Sequence, residues 1–151
     1  MSSSDGFHPD FDETDCSIGR NRVYHVKASQ LDSGTAQTEG MRRFAAISGK
    51  SVGAQSLWMG EVHVAAQTAS GNHHHGESET AIYIRSGHPE FVFHDGIQEV
   101  RITTEPGDYI FVPPYVPHRE ENPDPATPAE VVIARTTQEA IVVNLPALYS
   151  D

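Results

Sequence analysis

The chain has 151 residues, 37% hydrophobic and 21% charged, with a formal net charge of −11 when histidine is neutral. That length suits one domain with a real core, and the acidic balance excludes both the clustered Lys and Arg that neutralise nucleic-acid phosphates and a polybasic membrane patch. The single Cys16 cannot form an internal disulfide, Met1–Asp5 has neither the basic nor the apolar part of a signal peptide, and no apolar run reaches the roughly 18 residues of a membrane helix, so a soluble cytoplasmic protein is expected.

Residues 1–20 carry five acids (Asp5, Asp10, Asp12, Glu13 and Asp15) before the first basic residue, Arg20, and read as a mobile acidic tail. Residues 21–151 form the single domain. A first strand is expected over Arg22–Lys27, followed by a loop-rich stretch with a short helical turn around Glu39–Ala46. Leu57–Gln67 alternates, with Trp58, Val62 and Val64 on one side and Leu57, Met59, Glu61 and His63 on the other. Further strands are expected at Thr80–Arg85, Glu90–His94, Gln98–Thr103, Asp108–Val112, His118–Asn122, Glu130–Arg135 and Ala140–Val143. Gly87, Asp95-Gly96, Pro106-Gly107, Pro113-Pro114 and Asn122-Pro123 punctuate them, and Asp95-Gly96 is a hairpin signal. Twelve glycines, ten prolines and no long helical pattern mean an all-β sandwich or barrel.

The chemistry concentrates in two blocks, His73-His74-His75-Gly76-Glu77-Ser78-Glu79 and Pro113-Pro114-Tyr115-Val116-Pro117-His118. His73 and His75, two apart on a strand, point the same way, while His74 points opposite. A corner after His75 can return Glu79 to that face, and His118 arrives from a distant strand. Three imidazoles and a carboxylate suit one divalent transition ion: Fe, Mn, Zn, Ni, Cu or Co. A solvated loop of three histidines is the plainer reading of the first block alone, and the second block weakens it. Protonation below about pH 6 is expected to compete with the ion.

These blocks resemble the two motifs of the cupin superfamily. The second motif runs Gly, five residues, Pro, one, Gly, two, His, three, Asn. Gly107, Pro113, His118 and Asn122 match it, and Tyr115 replaces the second glycine. The first runs Gly, five residues, His, one, His, three or four, Glu, six, Gly. His73, His75 and Glu79 match it, but Gln67 stands at the leading glycine and seven residues separate Glu79 from Gly87. Registering on Gly87 puts Thr80 at the carboxylate position. Glu79 is preferred because threonine is a poor ligand and a one-residue bulge is tolerated, with Glu77 a distant substitute. The resemblance covers about residues 56–143. It implies a conical barrel or jelly roll (a double-stranded β-helix, RmlC-like) with the ion inside one mouth, and a homodimer.

The barrel mouth implies a small-molecule partner and no nucleic acid or membrane. An open coordination position favours catalysis on a carbonyl- or enol-type molecule, either by a dioxygenase or by a non-redox cyclase, isomerase or lyase. Compact cupins of aromatic polyketide pathways make cyclase chemistry an option by resemblance. A non-catalytic sensor barrel and a metal-free epimerase-like barrel are the other readings. Tyr83, in phase with Glu79, and His63, on the alternating strand, are candidate catalytic side chains, with half-buried packing the plainer reading of His63. Glu120 shares parity with His118, either as an acid or base near the ion or as a rim charge. Trp58, Phe91, Phe93, Tyr109 and Phe111 are expected in the core.

Overall fold

Period-two alternation of apolar residues dominates the computed structural model, which describes residues 22–35, 37–138 and 141–150. The acidic tail expected over 1–20 lies outside the described residues. The strands are β1 (Met41–Ile47), β2 (Trp58–Val64), β3 (Thr68–Ala69), β4 (His73–His74), β5 (Thr80–Ser86), β6 (Glu90–His94), β7 (Glu99–Thr103), β8 (Tyr109–Val112), β9 (His118–Asn122), β10 (Ala129–Arg135) and β11 (Val143–Asn144), with one short helix, α1 (Gly49–Val52). They form two antiparallel sheets, β1-β2-β10-β5-β8 and β11-β4-β9-β6-β7, with β3 paired to β9. Together they make the all-β jelly roll. No helix of the described residues is long and apolar enough to cross a membrane.

In β2, β5 and β10 alternate residues are buried. Val62, Val64, Ile82, Ile84, Val131 and Ile133 point inward and meet Phe91 of the other sheet in one core. Gly60 is dictated by close approach: a Cβ there would stand 2.1 Å from the Phe44 carbonyl oxygen and 2.6 Å from the Trp58 ring. Glycine leaves room for the edge of the indole against the strand.

Three expectations change. Arg22–Lys27 forms no strand, and Val23 is 95% exposed; strand propensity without a pairing neighbour does not hold an extended segment. Residues Glu39–Ala46 are not helical, because Met41, Arg43 and Ala45 alternate inward and β1 pairs with β2 from Met41↔Val64 to Ala45↔Gly60. Tyr109 and Phe111 lie on the outer face of the edge strand β8, and their neighbours Ile110 and Val112 take the inner positions. Phe91 and Trp58 are core residues, as expected, and Phe93 is half-buried.

Among the described residues, the non-glycine residues with positive φ are Gln67 (53°) and Tyr115 (63°). Both occupy positions where the cupin motifs carry glycine, so the turn geometry persists although the residue type has changed. Asn122, the motif asparagine, closes a turn. Its fully buried amide donates to the Ala65 carbonyl at 3.2 Å and the Thr127 carbonyl at 3.0 Å, and its oxygen accepts from the Asp124 N–H at 3.3 Å. Asn122→Ala is expected to cost about 1–3 kcal/mol by leaving these groups unmatched, read as a lower urea midpoint at unchanged slope.

Candidate metal centre

The two blocks meet where β4 pairs with β9. His73 stands directly opposite His118, and both side chains are buried. Gly76, in the left-handed region at φ 56°, turns the chain after His75, and its carbonyl accepts the Tyr115 N–H at 2.8 Å, tying the first block to the second. His74 points the other way, near the Tyr115 ring at 5.8 Å. The rings of His73, His75 and His118 have centroids 4.5–5.1 Å apart, and one ring nitrogen from each lies within 4.8 Å of the others.

Each ring is oriented by a backbone carbonyl. Nδ1 of His73 donates to Gly71 at 2.7 Å, that of His75 to Ile141 at 2.8 Å and that of His118 to Val116 at 3.0 Å. A carbonyl only accepts, so Nδ1 carries the proton and Nε2 keeps its lone pair. Burial holds all three rings neutral: it lowers the His73 pKa, takes His75 down to about 3 and His118 to about 4, with neighbouring rings adding to each shift. Three neutral, preoriented imidazoles are the donor set a divalent transition ion takes, so the residues fit such an ion.

Glu79 does not join them. It is exposed, whereas Thr80 beside it is buried and lines the cavity that the three rings share. The register of β5 sets this: Thr80, Ile82 and Ile84 face inward and pair with Arg135, Ile133 and Val131. Turning Glu79 inward would expose those isoleucines. Tyr83 consequently faces outward, its ring 5.0 Å from that of Tyr109. His63 is also on the outer face, its Nε2 3.2 Å from Glu61 and 3.3 Å from Glu130, in a cluster where Arg85 binds both carboxylates. Neither Tyr83 nor His63 lines the cavity.

Glu120, Arg43 and Arg135 line it instead. Glu120 is buried rather than a rim charge, and desolvation pushes its carboxyl up to about 7 against the pull of Arg43. Arg135 lies over the Trp58 ring at 4.0 Å, and burial lowers its pKa to about 10, which leaves it charged at neutral pH. A charged residue in phase with Val131 and Ile133 on β10 is the sequence signal that marks Arg135. The cavity is about 20 Å³, space for about one water. A larger cavity of about 430 Å³, with apolar walls from Phe91, Phe93, Ile102, Ile110 and Val116, shares Phe91 and His118 with it.

These shifts predict a pH dependence. At pH 7 the three rings are neutral in folded and unfolded chains alike. Below 6.5 the unfolded chain takes up protons that folded His118 and His75 refuse until about pH 4 and 3, so the metal-free protein loses stability as pH falls. Glu120 acts oppositely, since the folded chain holds its proton from about 7 down to 4.5 where the unfolded chain does not. With three rings against one carboxyl, the melting temperature of metal-free protein should fall between pH 6.5 and 4, and a rising one would contradict the assignment. Because all three rings are lowered, proton competition with a bound ion sets in below the expected pH 6.

Residues 60–135 match the family model described as Cupin domain. No curated protein matches the chain. Among solved structures, the polyketide cyclase RemF from Streptomyces resistomycificus aligns with a TM-score of 0.67 at 19% identity, over 83% of this chain and 87% of that one. The oxalate decarboxylase of Lactobacillus farciminis, in its formate complex, aligns with a TM-score of 0.63 at 20% identity, over 76% of this chain and 34% of that one. The Bacillus subtilis oxalate decarboxylase, a protein with Mn(II) centres, gives 0.61 at 19%, over 72% and 28%. The chain spans about a third of these decarboxylases' length. At such identities the likeness speaks for the fold alone, but the match to the family model covers half of the sequence, and this chain is a member of the cupin family.

Proposed function

We propose that this chain is a metal-dependent enzyme that moves a proton on a small, enolisable carbonyl molecule: a non-redox isomerase, cyclase or lyase. The observation that carries this reading is the presence, in one cavity, of three converging imidazoles and the buried carboxyl of Glu120. A divalent ion held by His73, His75 and His118 would supply a Lewis acid for a carbonyl or enol oxygen. Glu120, the carboxyl that shares the cavity with the three rings, is the group placed to give or take the proton. The apolar walls of the neighbouring cavity suit a flat or aromatic body. RemF, a polyketide cyclase of similar span, agrees with this chemistry, and the Mn(II) centres of the decarboxylase put Mn first among the ions to test. The exposed Met59, Tyr83, Tyr109 and Phe111 on the outer face of the five-stranded sheet support a homodimer, which sedimentation would read.

Benzoylacetone, an enolisable aromatic dicarbonyl, is a suitable probe. Mn(II)-loaded protein should shift its enol absorption saturably and speed deuterium uptake from D2O, with no dioxygen consumed. Glu120→Gln should keep the shift and lose the acceleration. Dioxygen uptake would move the assignment to a dioxygenase. No shift with metal loaded would leave a non-catalytic binding barrel.

A further inference from the structure

Four buried side-chain atoms among the described residues have no hydrogen-bond partner: Thr80 Oγ1, Glu120 Oε1, and Nε and Nη2 of Arg135. All three residues line the cavity of the imidazoles, and each is less than one-tenth exposed. Native folds keep such unmatched groups chiefly where a ligand or water completes them.

The Arg135 pair is informative in itself. Nε and Nη2 lie along one edge of the guanidinium, and that edge is the fork that meets the two oxygens of a carboxylate side-on. The guanidinium carbon lies 4.0 Å from the ring centre of Trp58, its cross-strand neighbour on β2, while Thr80, its neighbour on β5, flanks it on the other side. The donors are therefore held in place before any ligand arrives.

Charge points the same way. The cavity contains two guanidiniums, Arg43 and Arg135, against the single carboxyl of Glu120. Arg43 donates to Thr38 Oγ1 at 2.7 Å and has Glu120 as its electrostatic partner, which leaves Arg135 without one. A divalent ion on the three imidazoles would add two more positive charges to a desolvated space, and buried charge persists only when it is compensated.

We propose that Arg135 and Thr80 form a carboxylate subsite facing His73, His75 and His118, so that the molecule bound at this centre places an anionic head between the guanidinium fork and the imidazoles. The free space there, about that of one water, takes one oxygen of the head group, and the rest of the molecule lies outside this cavity. An apolar body would extend into the larger cavity across the Phe91–His118 partition. The charge argument rests on the metal reading above; the unmatched fork stands without it.

Formate and benzoate are the probes, titrated calorimetrically into metal-free and Mn(II)-loaded full-length protein, with metal content measured alongside. Wild-type protein should bind both anions saturably. Arg135→Met should weaken both at least tenfold while still taking up Mn(II), and Arg135→Lys, which keeps the charge and loses the fork, should fall between. Benzoate tighter than formate assigns the subsite to the acid head of an organic substrate, and equal binding assigns it to a free small anion; either upholds the fork. Binding in Arg135→Met within twofold of wild type would overturn it, as would wild type that takes up Mn(II) and binds neither anion. Anion binding without Mn(II) uptake would sink the metal reading and keep the subsite. If circular dichroism shows Arg135→Met unfolded, Thr80→Val decides: weakening of several-fold supports the subsite and unchanged binding refutes it.

Discussion

His118→Ala is expected to abolish stoichiometric binding of a divalent ion and to leave the barrel folded. His118 supplies one of three converging nitrogens, each preset by a carbonyl hydrogen bond. Loss of a ligand's hydrogen-bond partner alone typically costs about 10–100-fold in affinity, and loss of the ligand itself should exceed that. The fold does not need the ring. β9 keeps its backbone pairing to β6, and the apolar core lies among β1, β2, β5, β6, β8 and β10. Elemental analysis and far-ultraviolet circular dichroism, run on the same samples, read the two halves of the prediction. Retained metal would place the ligands elsewhere, and an unfolded variant would make the site structural, as in a zinc finger.

Trp58→Ala should be the most damaging single change in the core. The indole is 2% exposed, lies over Gly60 and carries the Arg135 guanidinium on its face. Truncating a buried tryptophan typically costs about 3–5 kcal/mol through lost transfer free energy and the cavity left behind. Here a buried cation would also lose its support. For a domain of this size each kcal/mol lowers the melting temperature by about 2–4 °C, so a drop of roughly 10 °C or more is expected by calorimetry. A shift below about 3 °C would mean that the core closes over the gap.

Much of this was legible in the sequence because period-two patterns and turn residues are local signals. The spacing of His73 and His75 and the separate His118 block sufficed to bring three rings together, since β4 and β9 need only pair. Gln67 and Tyr115, read only as departures from the motif glycines, keep the positive φ of the glycines they replace. The carboxylate was not legible, because two local preferences conflicted. Ligand chemistry favoured Glu79, while the apolar set Ile82 and Ile84 favoured the register with Thr80 inward, and burial of the isoleucines against Val131 and Ile133 decided it. The seven-residue spacing to Gly87 was the trace of that outcome. Tyr83 and His63 fell outward for the same reason: each sits on the opposite phase from the apolar residues of its strand. Arg43 and Arg135 escaped notice because a charge inside a barrel runs against the usual burial rule, and only its phase with apolar neighbours gives it away.

The most direct test is elemental analysis of the untagged protein, purified without chelators and then dialysed against Mn, Fe, Co, Ni, Cu and Zn in turn. The geometry of His73, His75 and His118 predicts one equivalent of a divalent transition ion per chain, held at neutral pH and lost on acidification as the rings protonate. Protein that takes up none of the six at neutral pH would contradict the metal centre and, with it, the proposed enzyme.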